Sequence, residues 1–176
     1  MDFAILYTLQ HLHRPWLDGW MTIITHLGDG GGIWIFCAFL LGVKKETRKI
    51  AMILVVGPLL DLVLGNLILK NIVGRPRPCD LDPHITLLIS RPFGHSFPSG
   101  HTLSSFTSAT ILYDFRKTWG RWAFLLASVI AFSRMYHFVH YPTDVLAGVI
   151  LGYLIGKVAI KVVEVGMKKE VEWHDQ

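Results

Sequence analysis

Residues 50–69 read IAMILVVGPLLDLVLGNLIL, twenty consecutive residues with one ionisable side chain, Asp61. A helix of about 20 apolar residues is what crosses the hydrocarbon of a bilayer. The rest of the chain agrees with lipid as its solvent. Mean hydropathy is +0.44, 52% of residues are apolar and 17% are charged, against roughly 25% charged in soluble domains. The net charge of +4 and pI of about 9.2 suit anionic lipid or a phosphorylated substrate. They also suit the ordinary Lys and Arg excess of cytoplasmic loops. No basic and aromatic interleaving of the kind that binds single-stranded nucleic acid is present.

Four further spans are expected. The run Ile33 to Val43 is too short to cross alone, so a first span over 21–43 must include the weaker stretch holding His26, Asp29 and four glycines. The others cover 101–115, 121–139 and 143–163, the last with Ala147, Gly148, Gly152 and Gly156 for close helix approach. Residues 1–20 read as short amphipathic helix, with Trp16 and Trp20 suited to a membrane interface. Residues 164–176 form a charged tail. The expectation is an all-α polytopic membrane bundle of about five transmembrane helices plus an N-terminal interfacial helix, one domain over 1–176. No cleavable signal peptide is expected, and Cys37 and Cys79 read as incidental.

Basic residues orient it. Lys44, Lys45, Arg48 and Lys49, then Arg116, Lys117 and Arg121, then Lys157, Lys161, Lys168 and Lys169 are eleven of the 17. Five spans put all three groups on one side, which is then the cytoplasm. Arg14, Lys70, Arg75, Arg77, Arg91 and Arg134 fall opposite, where few cations are expected.

Three segments explain that excess: Lys70 to Arg77-Pro78, Pro98-Ser99-Gly100-His101, and Ser133-Arg134 through His140 to Asp144. The topology brings all three to one face. Lys70, Arg77 and Arg134 converge as cations, and Arg offers a planar fork for two phosphate oxygens. Ser99 and Gly100 open a helix whose free N–H groups attract an anion. His140 can attack phosphorus while Asp144, four residues on, takes its other ring N–H. His101 can protonate the leaving oxygen and then activate water. No paired carboxylates suggest a metal site, so no metal and no cofactor is expected. Asp61, costly in lipid, is expected to pair with a polar group on a neighbouring helix. Arg75 and Arg91 either extend the phosphate field or are solvated. His11, His13, His26, His84, His95 and His137 read as structural.

These segments resemble the type 2 phosphatidic acid phosphatase (PAP2) superfamily, whose pattern is Lys, six residues, Arg-Pro; Pro-Ser-Gly-His; and Ser-Arg, five residues, His, three residues, Asp. Every position matches, in order, across 70–144. The resemblance implies a metal-free helical-bundle phosphatase. In it Lys70, Arg77, Ser99, Gly100 and Arg134 bind phosphate, His101 is the general acid, and His140 is the nucleophile, paired with Asp144. Small bacterial members resemble undecaprenyl-diphosphate phosphatases and phosphatidylglycerophosphate phosphatases. Some relatives of the former carry Asp where this chain has Gly100. Many members look six-spanning, against five spans here, which bears on where lipid enters. The implied setting is the cell membrane, with the site on its non-cytoplasmic face and a lipid phosphate as partner, undecaprenyl diphosphate first; no obligate protein partner is expected. A serine-hydrolase triad of Ser99, His101 and Asp144 is disfavoured because Ser99 and His101 are two residues apart and three cations suit phosphate. An anionic-lipid binder or transporter would not need His140 with Asp144. A related soluble class holds vanadate for halide oxidation, against which the membrane spans argue.

Overall fold

The computed structural model describes residues 1–174, with side chains described through Met167. All regular structure among them is helical. The order is α1 (Asp2–Gln10), α2 (Pro15–Leu27), α3 (Gly32–Val43), α4 (Arg48–Asp61), a π-helical stretch (Leu62–Leu69) continuing into α5 (Lys70–Val73), a single turn α6 (Pro78–Leu81), α7 (Gly100–Phe115), α8 (Lys117–Tyr136) and α9 (Pro142–His174).

The segment expected as one span over 21–43 is broken. α2 and α3 meet at 50° across a 3-10 turn, Asp29–Gly31, in which Gly30 and Gly31 have φ of +57° and +72°. Side chains avoid that region, so the glycines are what allow the turn. Pro58 lies inside α4, where its missing N–H leaves one rung of the helix unmade. Downstream the helix winds as a π-helix before α5 stops at left-handed Gly74.

Two helical runs are long and apolar enough to cross a bilayer, Lys45–Leu81 and Pro142–Met167; the bent pair of α2 and α3 passes as a third when taken together. α7 has 16 residues and much Ser and Thr, and α8 carries Lys117, Arg121 and Arg134. Their apolar content alone therefore does not mark them as spans. α9 runs on through the expected tail to His174; residues 175 and 176 lie outside the described residues.

α7 is the centre, packed between α8 and α9 and against α4. Trp34, Ile53, Leu54, Ile111, Ile130 and Ala159 are buried around it. The α7–α9 seam is main chain on main chain. A methyl group at Gly152 would lie 2.7 Å from the Leu103 carbonyl oxygen, and one at Gly156 2.9 Å from that of Thr107. Two of the hydroxyls buried on α7 find partners across helices. The Trp34 indole N–H donates to Ser105 Oγ at 3.0 Å, and Thr107 Oγ1 donates to Asp61 Oδ1 at 2.9 Å. Asp61 thus has the neighbouring-helix partner expected of it. Phe36, Phe39, Leu59, Leu67, Ile150 and Leu154 face outward, an apolar exterior suited to lipid.

The bundle has two unlike ends. At one, Lys49 meets Glu164 at 2.8 Å and Lys157 meets Asp114 at 2.5 Å. This gathers the start of α4, the end of α7 and the distal part of α9. At the other end α1 docks through Phe3 and Leu6 onto Phe138, Val139 and Tyr141. The three motif segments lie there.

Candidate active site

The segment between α8 and α9 turns sharply. Phe138 is fully buried with φ of +57°, a conformation that costs a side-chain-bearing residue about 1–3 kcal/mol. The turn, tied by the Val139 N–H to the Arg134 carbonyl at 3.2 Å, places Arg134 and His140 on the same cavity wall. The cavity holds about 560 Å³ and is lined by Lys70, Arg77, Gly100, His101, Arg134 and His140 among others. Six of the eight expected site residues thus share one space. Asp144 and Ser99 lie behind its wall, both fully buried.

Behind His140 stands a chain of polar groups. Nδ1 lies 3.6 Å from Asp144 Oδ2, too far for a good hydrogen bond. The Ser96 hydroxyl stands between, donating to Asp144 Oδ2 at 2.5 Å and lying 3.4 Å from Nδ1. Asp144 Oδ2 also accepts the Tyr141 N–H at 2.9 Å, and Oδ1 accepts from Arg75 at 2.6 Å. These partners put the ring proton on Nδ1 and the lone pair on Nε2, which accepts from Arg77 Nη1 at 3.1 Å. Burial, with Arg134 and Arg77 close by, holds the imidazole well below the usual histidine range against the opposing pull of Asp144. A neutral ring with a directed lone pair is a nucleophile.

The cations differ in their readiness. Arg77 is buried and donates to the carbonyls of Val139, Gly94, Phe93 and His95 as well as to His140. It is thereby rigid, and the N–H on His140 is the one a phosphate oxygen can take. Arg134 donates to Thr25 Oγ1 at 2.5 Å, while its buried Nε has no partner. A buried cationic donor without an acceptor is costly, and an anion in the cavity removes that cost. Among the described residues Lys70 Nζ has no hydrogen bond; it lies 3.9 Å from where a Gly100 Cβ would stand. The first N–H groups of α7 open at that point. Ser99 occupies the N-cap position of α7 without a side-chain capping bond; its hydroxyl accepts from Thr102 Oγ1 at 3.0 Å, and its own N–H donates to the Asp144 carbonyl at 3.2 Å. His101 faces Asp29, with Nε2 2.8 Å from Oδ1. Three cations, a helix N-terminus and two imidazoles around one space can bind a phosphate and exchange its substituents.

Three contributors went unassigned in the sequence. Ser96 carries no motif signal beyond standing two residues before Pro98. Arg75 spans Asp144 and Asp2 Oδ2 (2.7 Å) and lies 3.7 Å over the Tyr141 ring, so it is paired rather than solvated. Asp29 had a signal, a carboxylate within a glycine-rich break in an apolar run. Arg91 pairs with Asp80 at the surface, 3.1 Å away. His137 is buried with neither ring nitrogen partnered.

The PAP2 superfamily profile matches residues 49–167. The undecaprenyl-diphosphatase of Sulfolobus acidocaldarius is 33% identical over 160 residues, 89% of this chain and 75% of that protein. Aquifex aeolicus LpxE superposes with a TM-score of 0.80 at 30% identity, covering 91% of this chain and 94% of that one. The transmembrane PAP2-type phosphatidylglycerolphosphate phosphatase of Bacillus subtilis gives 0.75 at 26% identity, covering 93% and 84%.

Proposed function

We propose that this chain, which belongs to the PAP2 superfamily, is a membrane lipid phosphatase that removes a terminal phosphate through a phosphohistidine on His140. The observation that carries the reading is a buried imidazole whose Nε2 faces the cations of one cavity while Ser96 and Asp144 stand behind Nδ1. The Nε2 lone pair forms a bond to phosphorus as the bond to the lipid oxygen breaks, and His101 gives that oxygen a proton. Water then attacks the phosphohistidine, His101 takes the water's proton, and phosphate leaves. Lys70, Arg77, Arg134 and the N–H groups at Gly100 hold the three phosphoryl oxygens, whose charge grows in the transition state. Ser99 and Asp144 serve from behind the wall.

The preferred substrate is undecaprenyl diphosphate, with phosphatidylglycerophosphate or phosphatidic acid as the alternative. The polyprenyl choice draws on the Sulfolobus relative's name and on a site placed at the non-cytoplasmic face of the cell membrane. That placement draws on the basic loops gathered at the opposite end of the bundle. The test is phosphate release by detergent-purified protein in EDTA from the three lipids, with His140→Ala as control. Release that vanishes in the variant is expected. Silence on all three lipids from folded protein, or dependence on a divalent ion, overturns the reading. Orientation is tested with Leu88→Cys, on the exposed loop before α7. A membrane-impermeant thiol reagent should label it from outside intact cells.

A further inference from the structure

We infer that Asp29, braced by His26, is a positioning residue for His101. It fixes which ring nitrogen exchanges its proton and holds the positive ring that leaving-group protonation requires. The inference rests on the phosphatase reading above. Neither residue belongs to the three motif segments.

Both carboxylate oxygens of Asp29 are engaged by imidazoles. Oδ1 lies 2.8 Å from His101 Nε2 and Oδ2 2.7 Å from His26 Nδ1. The carboxylate sits on the tight break between α2 and α3, whose left-handed glycines fix the backbone that carries it. Gly28, the residue before, lies under the ring; a methyl group there would be 2.6 Å from His101 Cδ2 and 3.4 Å from Cγ. With the Cγ–Cδ2 edge over Gly28 and Nε2 on Asp29, Nδ1 is the nitrogen left for the cavity.

That arrangement answers an electrostatic problem. His101 is largely buried and shares its cavity with the cations of Lys70 and Arg134, and burial and both cations disfavour a positive charge on the ring. The anion facing it is Asp29, with His26 behind. Asp29 accepts the Nε2 proton in both charge states of the ring, so the proton that moves is on Nδ1. In the first step Nδ1–H goes to the lipid oxygen as the P–O bond breaks and the bond to His140 Nε2 forms. In the second, Nδ1 takes a proton from water as the water oxygen bonds phosphorus and the P–N bond breaks. The ring ends as it began.

The test uses leaving groups of different need. Phosphatidic acid expels an alkoxide, which requires protonation; undecaprenyl diphosphate expels a phosphate monoester, with a second pKa of about 6, which requires little. kcat/KM reports only the steps through phosphoenzyme formation. For Asp29→Asn we expect kcat/KM on phosphatidic acid to fall about 10- to 100-fold, within the range that a positioned acid supplies. On undecaprenyl diphosphate the expected fall is about threefold or less, and vanadate inhibition stays unchanged. Asp29→Glu should recover part of the loss. His26→Gln should show the same asymmetry at smaller amplitude, and it decides the matter if the Asp29→Asn protein does not fold. Equal losses on the two lipids, or none on phosphatidic acid, overturn the role of Asp29 while leaving the phosphatase reading intact. A wild-type protein silent on both lipids and on phosphatidylglycerophosphate overturns that reading and this inference with it.

Discussion

His140 and His101 line one cavity in opposite settings. His140 is 2% exposed, and its surroundings, Asp144, Ser96 and Arg77, are buried as well. All of them come from residues 75–144, the stretch that holds the motif segments. His101 has an 18% exposed side chain, and its partner Asp29 is 56% exposed. That partner comes from a helix break near the other end of the sequence. The first setting keeps a ring neutral and aimed. The second holds a ring closer to water, with one nitrogen pinned on a carboxylate and the other left for the cavity. Under the proposed mechanism this is the division of labour needed, since His140 must hold a direction and His101 must trade a proton.

The largest expected effect comes from the buried side. His140→Ala should lower turnover by about ten-thousandfold or more while leaving the thermal midpoint within a few degrees of wild type. Substantial residual phosphate release would show that the buried ring is not the nucleophile. On the exposed side, Gly28→Ala drives a methyl group into the His101 ring. A displacement of about 1 Å in a catalytic group costs about a hundredfold, so kcat should fall by that order with vanadate affinity kept. An unchanged kcat would mean that the pinned geometry is not needed. Lys70→Ala removes one charge-assisted contact, worth about 1.5–3 kcal/mol, and the loss should show in kcat/KM for every substrate alike. Arg75→Gln strips one partner from Asp144 Oδ1 and should cost about 1 kcal/mol, read as a severalfold fall in kcat, because Ser96 and the Tyr141 N–H still hold the other oxygen.

The smallest effect is an absence of change. The His140 pKa is lowered by burial, so its ring should stay neutral as pH falls from 8 to 5, seen in the nitrogen shifts of histidine-labelled protein. The unfolded chain takes up that proton near pH 6.5 and the folded one resists. The stability present above pH 6.5 is therefore lost as pH falls below it, and His140→Ala should flatten that slope. A wild-type slope no steeper than the variant's would show that burial leaves the ring unshifted.

Much of the buried half was legible because its parts are local. Arg134, His140 and Asp144 sit in one short segment whose spacing shows in the sequence, and Arg77 marks a neighbouring helix end. Of the exposed half, His101 was legible at a helix start, but its partner was not. Asp29 reaches His101 across 72 positions, and no periodicity links a helix break to a distant helix start. Ser96 lies in an irregular loop where only tertiary contacts give it a partner. The bend in the first span stayed illegible because its apolar content averages over the glycines at 30 and 31, whose left-handed backbone makes it. The exact number of spans stayed illegible for α7 because its hydroxyls, polar by composition, are buried inside the bundle, where Ser105 and Thr107 bond across helices.

The seam between α7 and α9 has a consequence for how such a chain diversifies. Gly148, Gly152 and Gly156 meet the main chain of α7 itself, so the gap between the Ser99–His101 helix start and the His140–Asp144 turn is set by backbone thickness. No substitution there can widen it without separating the helices. The opposite wall carries ordinary exposed side chains, Ile35, Val55, Leu59 and Leu62, which can be exchanged one at a time. A descendant adapting to a bulkier or slimmer lipid therefore has its freedom on α3, α4 and the π-helical stretch, while the chemistry on the far side is inherited unchanged.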